Sequence, residues 1–331
     1  MFCFIINPAA RSGRGRRIWE KLREELDHKN VEYRYYFTSK ERSAGRIVRC
    51  ILKANAGTVT VVLLGGDGTV NELLQGVAAS GEDCFERLRL GYIPTGSASD
   101  LARALELPAN QLEGLRRILA AGDGHISYVD GTSAARERST DLGVLEYLDA
   151  EKKEYNGRKR YFAVSAGMGF DAAVCAEASV SATKKALNRI GLGGLSYGFI
   201  CVKRLLGAPR TDCTVIMDRK EAISAHDCLF VTVMNNRFQG GGVMFAPEAV
   251  SNDGMLDLCF TDRISRGKVL ITFPKAYSGS HVGTKGIILK RAKEARIAAT
   301  GYLWVHTDGE VKTKAKEVSI RCLPGKLRLL L

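Results

Sequence analysis

The sequence predicts a two-domain protein, with an α/β domain over about residues 1–125 and a mainly β domain over about 126–312. The chain has 331 residues, a hydrophobic content of 45% and a mean hydropathy of −0.08, which fit a globular protein of two domains. Strand-like and helix-like segments alternate in the first part, which is typical of a mostly parallel sheet covered by helices on both faces. From about Ile126 the apolar runs become short and hairpin turns separate them.

In the first domain, apolar runs of five to seven residues predict strands, and apolar side chains at helical spacing predict the helices between them. The predicted elements, in order, are strand Phe2–Ile6, helix Arg16–His28, strand Val31–Phe37, helix Ser43–Ala54, strand Val59–Leu64, helix Val70–Ala79, strand Leu88–Ile93, a helix from about Asp100, and helix Leu112–Ala121. Ligands bind at the carboxyl ends of strands in such sheets, so loops 7–15, 65–69 and 94–99 are expected to converge on one edge.

In the second domain the strands are shorter, and Tyr155–Arg158 suits a hairpin turn between the first two. A helix or two is expected within 172–207. The predicted strands are Gly143–Asp149, Arg160–Ala166, Val215–Met217, Cys228–Met234, Leu256–Phe260, Ile287–Ala292, Ala295–Ala299, Glu317–Arg321 and Lys326–Leu331.

The glycine-rich segment Gly65-Gly66-Asp67-Gly68-Thr69 directly follows a buried strand and precedes a helix. Glycines let a ligand approach the backbone closely, and N–H groups at a helix start attract anions, so this junction predicts a phosphate cradle. A carboxylate would repel phosphate, so Asp67 is expected to serve a metal, a hydroxyl or the loop's own N–H groups. A tight turn held by the Asp side chain is the alternative. The P-loop motif is absent, and Gly13-Arg14-Gly15 is only a fragment of the dinucleotide motif.

Seven segments, in the right order, resemble the motifs of the diacylglycerol kinase catalytic domain family, which includes bacterial lipid kinases, sphingosine kinases and ceramide kinases. The segments are Asn7-Pro8 with Ser12-Gly13, Thr38, Gly65–Glu72, Pro94–Arg103, Ala166–Asp171, Gly240–Gly242 with Pro247 and Asp253–Asp257, and His306–Glu310. Two positions depart from the family pattern. Ser97-Ala98-Ser99-Asp100 stands where the family has Thr-x-Asn-Asp, and Ser165 stands where it has Asn.

The resemblance implies a fold and an activity. The first domain is expected to be similar to NAD kinase and phosphofructokinase, the second to be an antiparallel β-sandwich, and the last strand, about 313–331, to return to the first domain. The implied activity is ATP-dependent phosphorylation of the hydroxyl of diacylglycerol or a related long-chain lipid alcohol, in phospholipid metabolism. The implied cofactors are ATP and Mg²⁺.

The resemblance also implies site residues. The nucleotide is expected to contact Asn7, Ser12, Thr38, Gly65, Gly66, Asp67, Gly68, Thr69, Asn71, Glu72 and Thr95. The candidates for the general base are Asp308 and Glu310, with Asp67 contributing from the other domain, and a base-only role predicts that Asp308→Asn leaves folding intact. A structural Mg²⁺ is expected on the Asp253 side chain and the carbonyls of Val250 and Met255. Arg11, Arg14 and Arg16 either neutralise phosphates or lie on a solvated helix start.

The charge distribution points to an anionic partner, because the chain carries a net charge of +13. Residues 263–296 hold nine Lys and Arg against one Asp or Glu. No nucleic-acid module is visible, so an anionic membrane surface is the expected partner beside the lipid substrate, although a solvated face explains any single basic run equally well. The nine scattered cysteines predict reduced thiols, and we expect a cytoplasmic protein that associates peripherally with membranes.

Two alternative functions and the oligomeric state remain open from the sequence. A soluble-substrate kinase of the NAD kinase type shares the glycine–aspartate loop, and a non-catalytic basic lipid-binding protein would share the charge. A homodimer is also possible. The segment Gly191–Leu195 is either a mobile, partly apolar loop near a lipid entrance or an ordinary loop.

Overall fold

The computed structural model describes residues 1–96, 99–122, 137–180 and 202–331. The chain divides into two compact units: Met1–Leu142 with Leu323–Leu331, and Gly143–Cys322. Both boundaries between the units differ from the expected domain boundaries, 125/126 and 312/313. Each lies inside a long strand rather than in a loop. The Gly191–Leu195 segment lies outside the described residues.

The first unit is α/β. Its elements are β1 Phe2–Ile6, α1 Ala10–Gly13, α2 Gly15–His28, β2 Tyr33–Phe37, α3 Ala44–Ala54, β3 Val59–Gly65, α4 Asp67–Ala78, a 3-10 helix Glu82–Arg87, β4 Leu88–Pro94, α5 Asp100–Ala104 and α6 Gln111–Gly122. The predicted helices over 16–28, 43–54 and 112–121 are thus present with small shifts at their ends.

The sheet of this unit is parallel, in the order β2-β1-β3-β4, and the end of the last strand of the chain adds beside β4. The chain runs outward from β1 to β2 and then crosses back to place β3 on the other side of β1. The strand order therefore reverses between β1 and β3, and crevices at such switch points are where ligands bind in open α/β sheets.

Helices cover both faces of this sheet. On one face, Trp19 and Leu22 of α2 and Leu115 and Ile118 of α6 are buried in one core cluster with Phe4 of β1. On the other face, α3 and α4 cross in close contact, because a Cβ at Gly76 would lie 2.4 Å from the Cα of Gly45. Two glycines at one crossing let the helix backbones touch.

The second unit is mainly antiparallel. Its elements are β5 Glu137–Ala150, a 3-10 helix Lys153–Tyr155, β6 Lys159–Phe162, β7 Ser165–Gly169, α7 Phe170–Val180, β8 Thr211–Met217, β9 Glu221–Cys228, β10 Phe230–Met234, β11 Leu256–Thr261, α8 Arg266–Thr272, a 3-10 helix Phe273–Tyr277, β12 Ile287–Ala292, β13 Glu294–Thr307 and β14 Glu310–Leu330. Residues 202–207 are also helical. The chain enters this unit within β5 and leaves it within β14.

The strands of the second unit pair in the order β12-β11-β10-β7-β13-β14, with the β8–β9 hairpin on β13 and β5 paired with β6. The predicted hairpin turn at 155–158 joins β5 and β6, where Gly157 has a φ of 74°. Two core clusters lie in this unit, one among the strands and one under α7 and α8.

Several predicted strands of the second unit had the wrong extent. Arg160–Ala166 is two strands with a break at 163–164, and Cys228–Met234 is broken at Leu229. Ala295–Ala299 is the start of a 14-residue strand, and the predicted strands 317–321 and 326–331 are parts of the 21-residue β14. The eight cysteines in the described ranges are free thiols. None of the helices described is both long and apolar enough to cross a membrane.

Candidate functional site

The carboxyl edge of the first sheet gathers the loops that the sequence singled out. Ile6 of β1 pairs with Phe37 of β2 and with Leu64 of β3, while Gly65 pairs with Pro94 of β4. The residues that follow these pairs leave the strands at the same level, so Asn7, Thr38, Gly66 and Thr95 all stand at this edge. The predicted convergence of the three loops is confirmed, and it occurs at the reversal of strand order.

Asp67 links two of these loops. It is the first residue of α4, and its Oδ2 accepts a hydrogen bond of 2.7 Å from the backbone N–H of Asp100 at the start of α5. The hydroxyl of Tyr92 donates to Asp67 Oδ1 at 3.4 Å. Burial, and then the nearby Asp67 carboxylate, raise the pKa of Tyr92 well above its usual value, so the phenol stays protonated as a donor. Of the roles expected for Asp67, bonding to a hydroxyl is present, whereas the N–H group at 2.7 Å belongs to the loop after β4 and not to the loop of Asp67 itself.

The loops approach each other through two glycines. A Cβ at Gly66 would lie 3.3 Å from the Cα of Gly96, and a Cβ at Gly96 would lie 2.8 Å from the Cα of Gly66. A Cβ at Gly65 would lie 2.7 Å from the side chain of Thr69. Gly66 is therefore needed for loop-to-loop packing, and close approach of a ligand is a second reason for a glycine here. The helix begins at Asp67 rather than at the predicted Val70, because Gly66 O accepts from the N–H groups of Thr69 and Val70.

Thr95 carries an unsatisfied buried hydroxyl. Its N–H donates to Gly65 O at 2.8 Å, its side chain is buried, and its Oγ1 has no hydrogen-bond partner among the described residues. Buried hydroxyl groups are normally paired, so this one is available to a ligand oxygen or nitrogen. Thr38 follows β2 at the same edge, where its N–H donates to Ile6 O at 2.8 Å.

Of three other residues predicted to contact the nucleotide, two form hydrogen bonds that connect the loops and helices of this unit, and the third is buried. Asn7 Nδ2 donates to Thr69 Oγ1 at 3.1 Å, which ties the loop after β1 to α4. Glu72 Oε2 accepts from the N–H of Ala44 at 3.1 Å and so caps the start of α3. Asn71 is buried in α4. The side chains of Ser12 and Arg11 lie outside the described residues.

The residue before α5 departs from the family pattern. Ser99 has the left-handed values φ 46° and ψ 54°, a conformation that Asn adopts more readily than Ser. The two preceding residues, 97 and 98, are not described. Arg16 lies over the ring of Phe37, with Cζ 5.0 Å from the centroid, which gives this arginine a packing role at the end of β2.

In the second unit, Asp308 and Gly309 form the two-residue turn between β13 and β14. Both have positive φ, 49° and 81°, as the tightest hairpin turns require. The Asp308 carboxylate accepts three backbone N–H groups at the break between β6 and β7: Ala163 at 3.1 Å, Val164 at 2.8 Å and Ser165 at 3.1 Å. Asp308 thus anchors the bend that the sequence missed. The expectation that Asp308→Asn leaves folding intact does not agree with these contacts.

A buried acid–histidine pair lies beside this turn. His306 Nδ1 accepts from the N–H of Gly309 at 3.2 Å, so Nε2 carries the proton and points at Asp171 Oδ2, 3.0 Å away. Thr232 Oγ1 donates to the same carboxylate oxygen at 2.7 Å. Gly167 makes room for the pair, because a Cβ there would lie 2.0 Å from Asp171 Oδ2. Asp171 ends the segment Ala166–Asp171, and the sequence predicted no role for its carboxylate.

Glu310, the other predicted base, opens β14. Its side chain is 45% exposed, and its Oε2 lies 3.5 Å from Lys312 Nζ. The two carboxylates at this turn therefore have different partners: Glu310 is paired with a lysine, whereas Asp308 accepts three backbone N–H groups.

The Asp253 loop does not fit the expected Mg²⁺ site. Asp253 Oδ1 accepts the N–H of Met255 at 3.0 Å, and Asp253 Oδ2 is ion-paired with the Arg291 guanidinium, whose Nε also lies 3.1 Å from Asp257 Oδ1. A guanidinium on the carboxylate supplies the positive charge that a cation would bring and repels a second cation.

An apolar cavity lies in the second unit, between β10, β11 and α8. Its lining is made mainly of aromatic and aliphatic side chains, including Phe170, Phe230, Phe245 and Ile264. The buried His281 closes one side, with Nε2 donating to Phe245 O at 3.1 Å. Burial lowers the pKa of His281, which keeps the imidazole neutral next to the cavity.

Comparison with known proteins gives two family matches. Residues 1–134 match the diacylglycerol kinase catalytic domain, and residues 164–331 match the YegS C-terminal NAD kinase beta sandwich-like domain. A protein named diacylglycerol kinase from Mycobacterium tuberculosis (strain CDC 1551 / Oshkosh) is 29% identical over 274 residues, which cover 83% of this chain and 77% of that protein.

Two further relatives agree. A diacylglycerol kinase from Bacillus subtilis (strain 168) is 27% identical over 250 residues, covering 76% of this chain and 70% of that protein. A crystal structure described as a diacylglycerol kinase from Bacillus anthracis str. Sterne matches with a TM-score of 0.66 at 18% identity, covering 99% of this chain and 96% of that chain. That likeness concerns the fold alone and confirms the predicted fold class. The second family match covers half of the chain, and the first covers the loops at the carboxyl edge of the first sheet, so this chain belongs to the diacylglycerol kinase family of lipid kinases.

Proposed function

We propose that this protein is an ATP-dependent kinase that phosphorylates the hydroxyl of diacylglycerol or a related long-chain lipid alcohol, in phospholipid metabolism. The observation that carries the proposal is the edge of the first sheet at the reversal of strand order. There the loops after β1, β3 and β4 meet, Gly66 packs on Gly96, and the buried Thr95 hydroxyl has no partner among the described residues.

This edge suits the phosphates of ATP. The 12-residue helix α4 starts directly from the glycine loop, so its first turn directs N–H groups and a positive dipole end toward the loop. Asp67 holds the loop after β4 in place through Asp100 N–H and is a positioning residue in this scheme. Mg²⁺ would enter with the nucleotide and neutralise charge on its phosphates.

The chemical step needs an acceptor for one proton. The lipid hydroxyl oxygen forms a bond to the γ-phosphorus, the bond from that phosphorus to the β–γ bridging oxygen breaks, and ADP leaves with the electron pair. The hydroxyl proton passes to a carboxylate, for which Asp308, Glu310 and Asp67 are the candidates. Asp67 and Asp308 accept backbone N–H groups, whereas Glu310 is 45% exposed and paired with Lys312, so we favour Glu310 as the proton acceptor.

The lipid acceptor is supported by two of the relatives, which are named diacylglycerol kinase. The cavity of the second unit is apolar, but its volume of about 30 Å³ is too small for a hydrocarbon chain. We also propose a cytoplasmic protein that works at an anionic membrane surface, in line with the net charge of +13.

The test is transfer of label from ATP labelled at the γ-phosphate to a panel of acceptors in detergent: diacylglycerol, a long-chain amino alcohol, ceramide and NAD. We expect label in an organic-soluble phospholipid with at least one lipid alcohol and none in NADP. Label in NADP alone would support the soluble-substrate alternative, and no transfer to any acceptor would support the non-catalytic one.

A further inference from the structure

Four of the seven exposed large apolar side chains in the described part of the second unit lie in one segment. Helix α8 continues directly into the 3-10 helix Phe273–Tyr277 and a loop that ends before β12. We refer to residues 263–285 as the α8 segment. Within it Ile271 is 71% exposed, Tyr277 and Val282 are each 52% exposed, and Leu270 is 38% exposed. Such a cluster differs from the scattered single apolar residues of ordinary surfaces, and it indicates a partner.

The other side of the same segment is also apolar. Val269, Thr272 and Ala276 are buried, and Val269 and Ala276 belong to the core cluster under α8. A helix that is apolar on both faces is expected to be covered on both, and here the described residues cover only one.

The segment is firmly attached, so its outer side chains stand on a fixed base. The Arg266 guanidinium donates to Leu205 O at 3.0 Å and to Ala208 O at 2.8 Å. The loop is held by His281, which bonds to Phe245 O. Ser265 caps the start of α8 by accepting from Lys268 N–H at 3.2 Å. Exposure of Ile271 and Tyr277 is therefore a feature of an ordered element.

The charge around the apolar cluster has one sign. Residues 263–285 contain five Lys and Arg and no Asp or Glu. Arg263, Lys275 and Lys285 are exposed. Two copies of this chain that met through this surface would bring like charges together, whereas an anionic bilayer offers both an apolar interior and a complementary charge.

We infer that the α8 segment is the membrane-docking surface of this protein, with Leu270, Ile271, Tyr277 and Val282 inserted at the interface of an anionic bilayer. Lys275, Lys285 and Arg263 then contact the lipid headgroups. The inference rests on the proposed function in one respect, since a lipid alcohol substrate resides in the bilayer.

The test is co-sedimentation of the full-length protein with vesicles of phosphatidylcholine alone or mixed with phosphatidylglycerol, without ATP or substrate. We expect partitioning into the mixed vesicles that weakens as salt rises. Ile271→Ser should lower the partition coefficient about tenfold or more, because it removes a large aliphatic group from the interface. The double variant K275Q/K285Q should lower it by more than tenfold on mixed vesicles and leave it unchanged on neutral ones.

Tyr35→Ser is the matched control, because Tyr35 is 42% exposed but lies on β2 in the first unit. Its partitioning should equal that of the wild type, and circular dichroism should show each variant folded. A Tyr277→Trp variant should show a blue-shifted emission on mixed vesicles that brominated acyl chains quench.

The proposed docking surface would be refuted if Ile271→Ser bound vesicles as well as the wild type does. It would also be refuted if vesicles left the emission of Tyr277→Trp unchanged. A dimer in sedimentation that Ile271→Ser dissociates while vesicle binding stays absent would refute it as well, because a second copy would then be the partner. Since these readouts need no catalysis, docking without label transfer to any lipid would refute the proposed function alone. Transfer to detergent-dispersed lipid without docking would refute this inference alone.

Discussion

Replacement of Asp308 by Asn separates an anchoring role from a role as base. The carboxylate accepts three N–H groups, two on Oδ1 and one on Oδ2. An amide can keep the two bonds on its oxygen, but its NH₂ group would then face the N–H of Ala163, donor against donor. Asn tolerates the left-handed conformation of residue 308, so backbone strain does not confuse the result.

The magnitude follows from the bonds. One charge-assisted hydrogen bond is lost and two become neutral, which together cost about 3 kcal/mol in the free energy of unfolding. For a unit of this size, that corresponds to a drop in Tm of roughly 6–12 °C. Thermal unfolding followed by circular dichroism measures the shift. The control Asp149→Asn removes an exposed carboxylate paired with Lys153 Nζ at 2.9 Å and should shift the Tm much less than Asp308→Asn does. An unchanged Tm for Asp308→Asn together with a large loss of turnover would refute the anchoring role.

Three further predictions follow from individual contacts. Ser99→Asn should raise stability by up to about 1 kcal/mol, because Asn suits the left-handed backbone there, and an unchanged or lower Tm would contradict this. Mg²⁺ should raise the Tm of the wild type no more than NaCl of equal ionic strength does. In Arg291→Met, which leaves the Asp253 carboxylate without its guanidinium partner, Mg²⁺ should raise the Tm more than in the wild type. Equal shifts in Tm for the two proteins would show that Arg291 does not take the place of the cation. Burial lowers the pKa of His281 below 6.5, so the unfolded chain binds this proton first and stability should fall as pH drops below about 6.5; His281→Gln should show a weaker acid-side fall in Tm.

Much of the first unit was predictable from local pattern. Apolar runs defined its strands, and the glycine–aspartate segment located the edge at which its loops meet. The role of Asp67 was not predictable, because its partners Tyr92 and Asp100 are 25 and 33 residues away and come together only through strand order. The sequence did not predict the strand breaks at 163–164 and at Leu229, because the apolar pattern continues through both. The first break is stabilised by hydrogen bonds to the Asp308 carboxylate, which is distant in sequence.

The expected metal site at Asp253 depends on a contact that is distant in sequence, which a motif does not show. The turn sequence at Asp253 matches the family motif. The residue that forms an ion pair with its carboxylate is Arg291 on β12, and nothing in the sequence of the turn predicts that pair. Likewise the pair of Asp171 and His306 is separated by 135 residues, and each looks ordinary alone.

The most direct test of the account is the affinity for ATP of the wild type, Gly66→Val and Gly57→Val, measured by calorimetric titration. A Cβ at Gly66 meets the Cα of Gly96 at 3.3 Å, so a branched side chain must push the loops after β3 and β4 apart, whereas nothing lies within 4 Å of a Cβ at Gly57. We predict wild-type affinity for Gly57→Val and a loss of at least about tenfold for Gly66→Val, the equivalent of one hydrogen bond. Wild-type affinity in Gly66→Val would contradict the central claim that ATP binds where these loops meet.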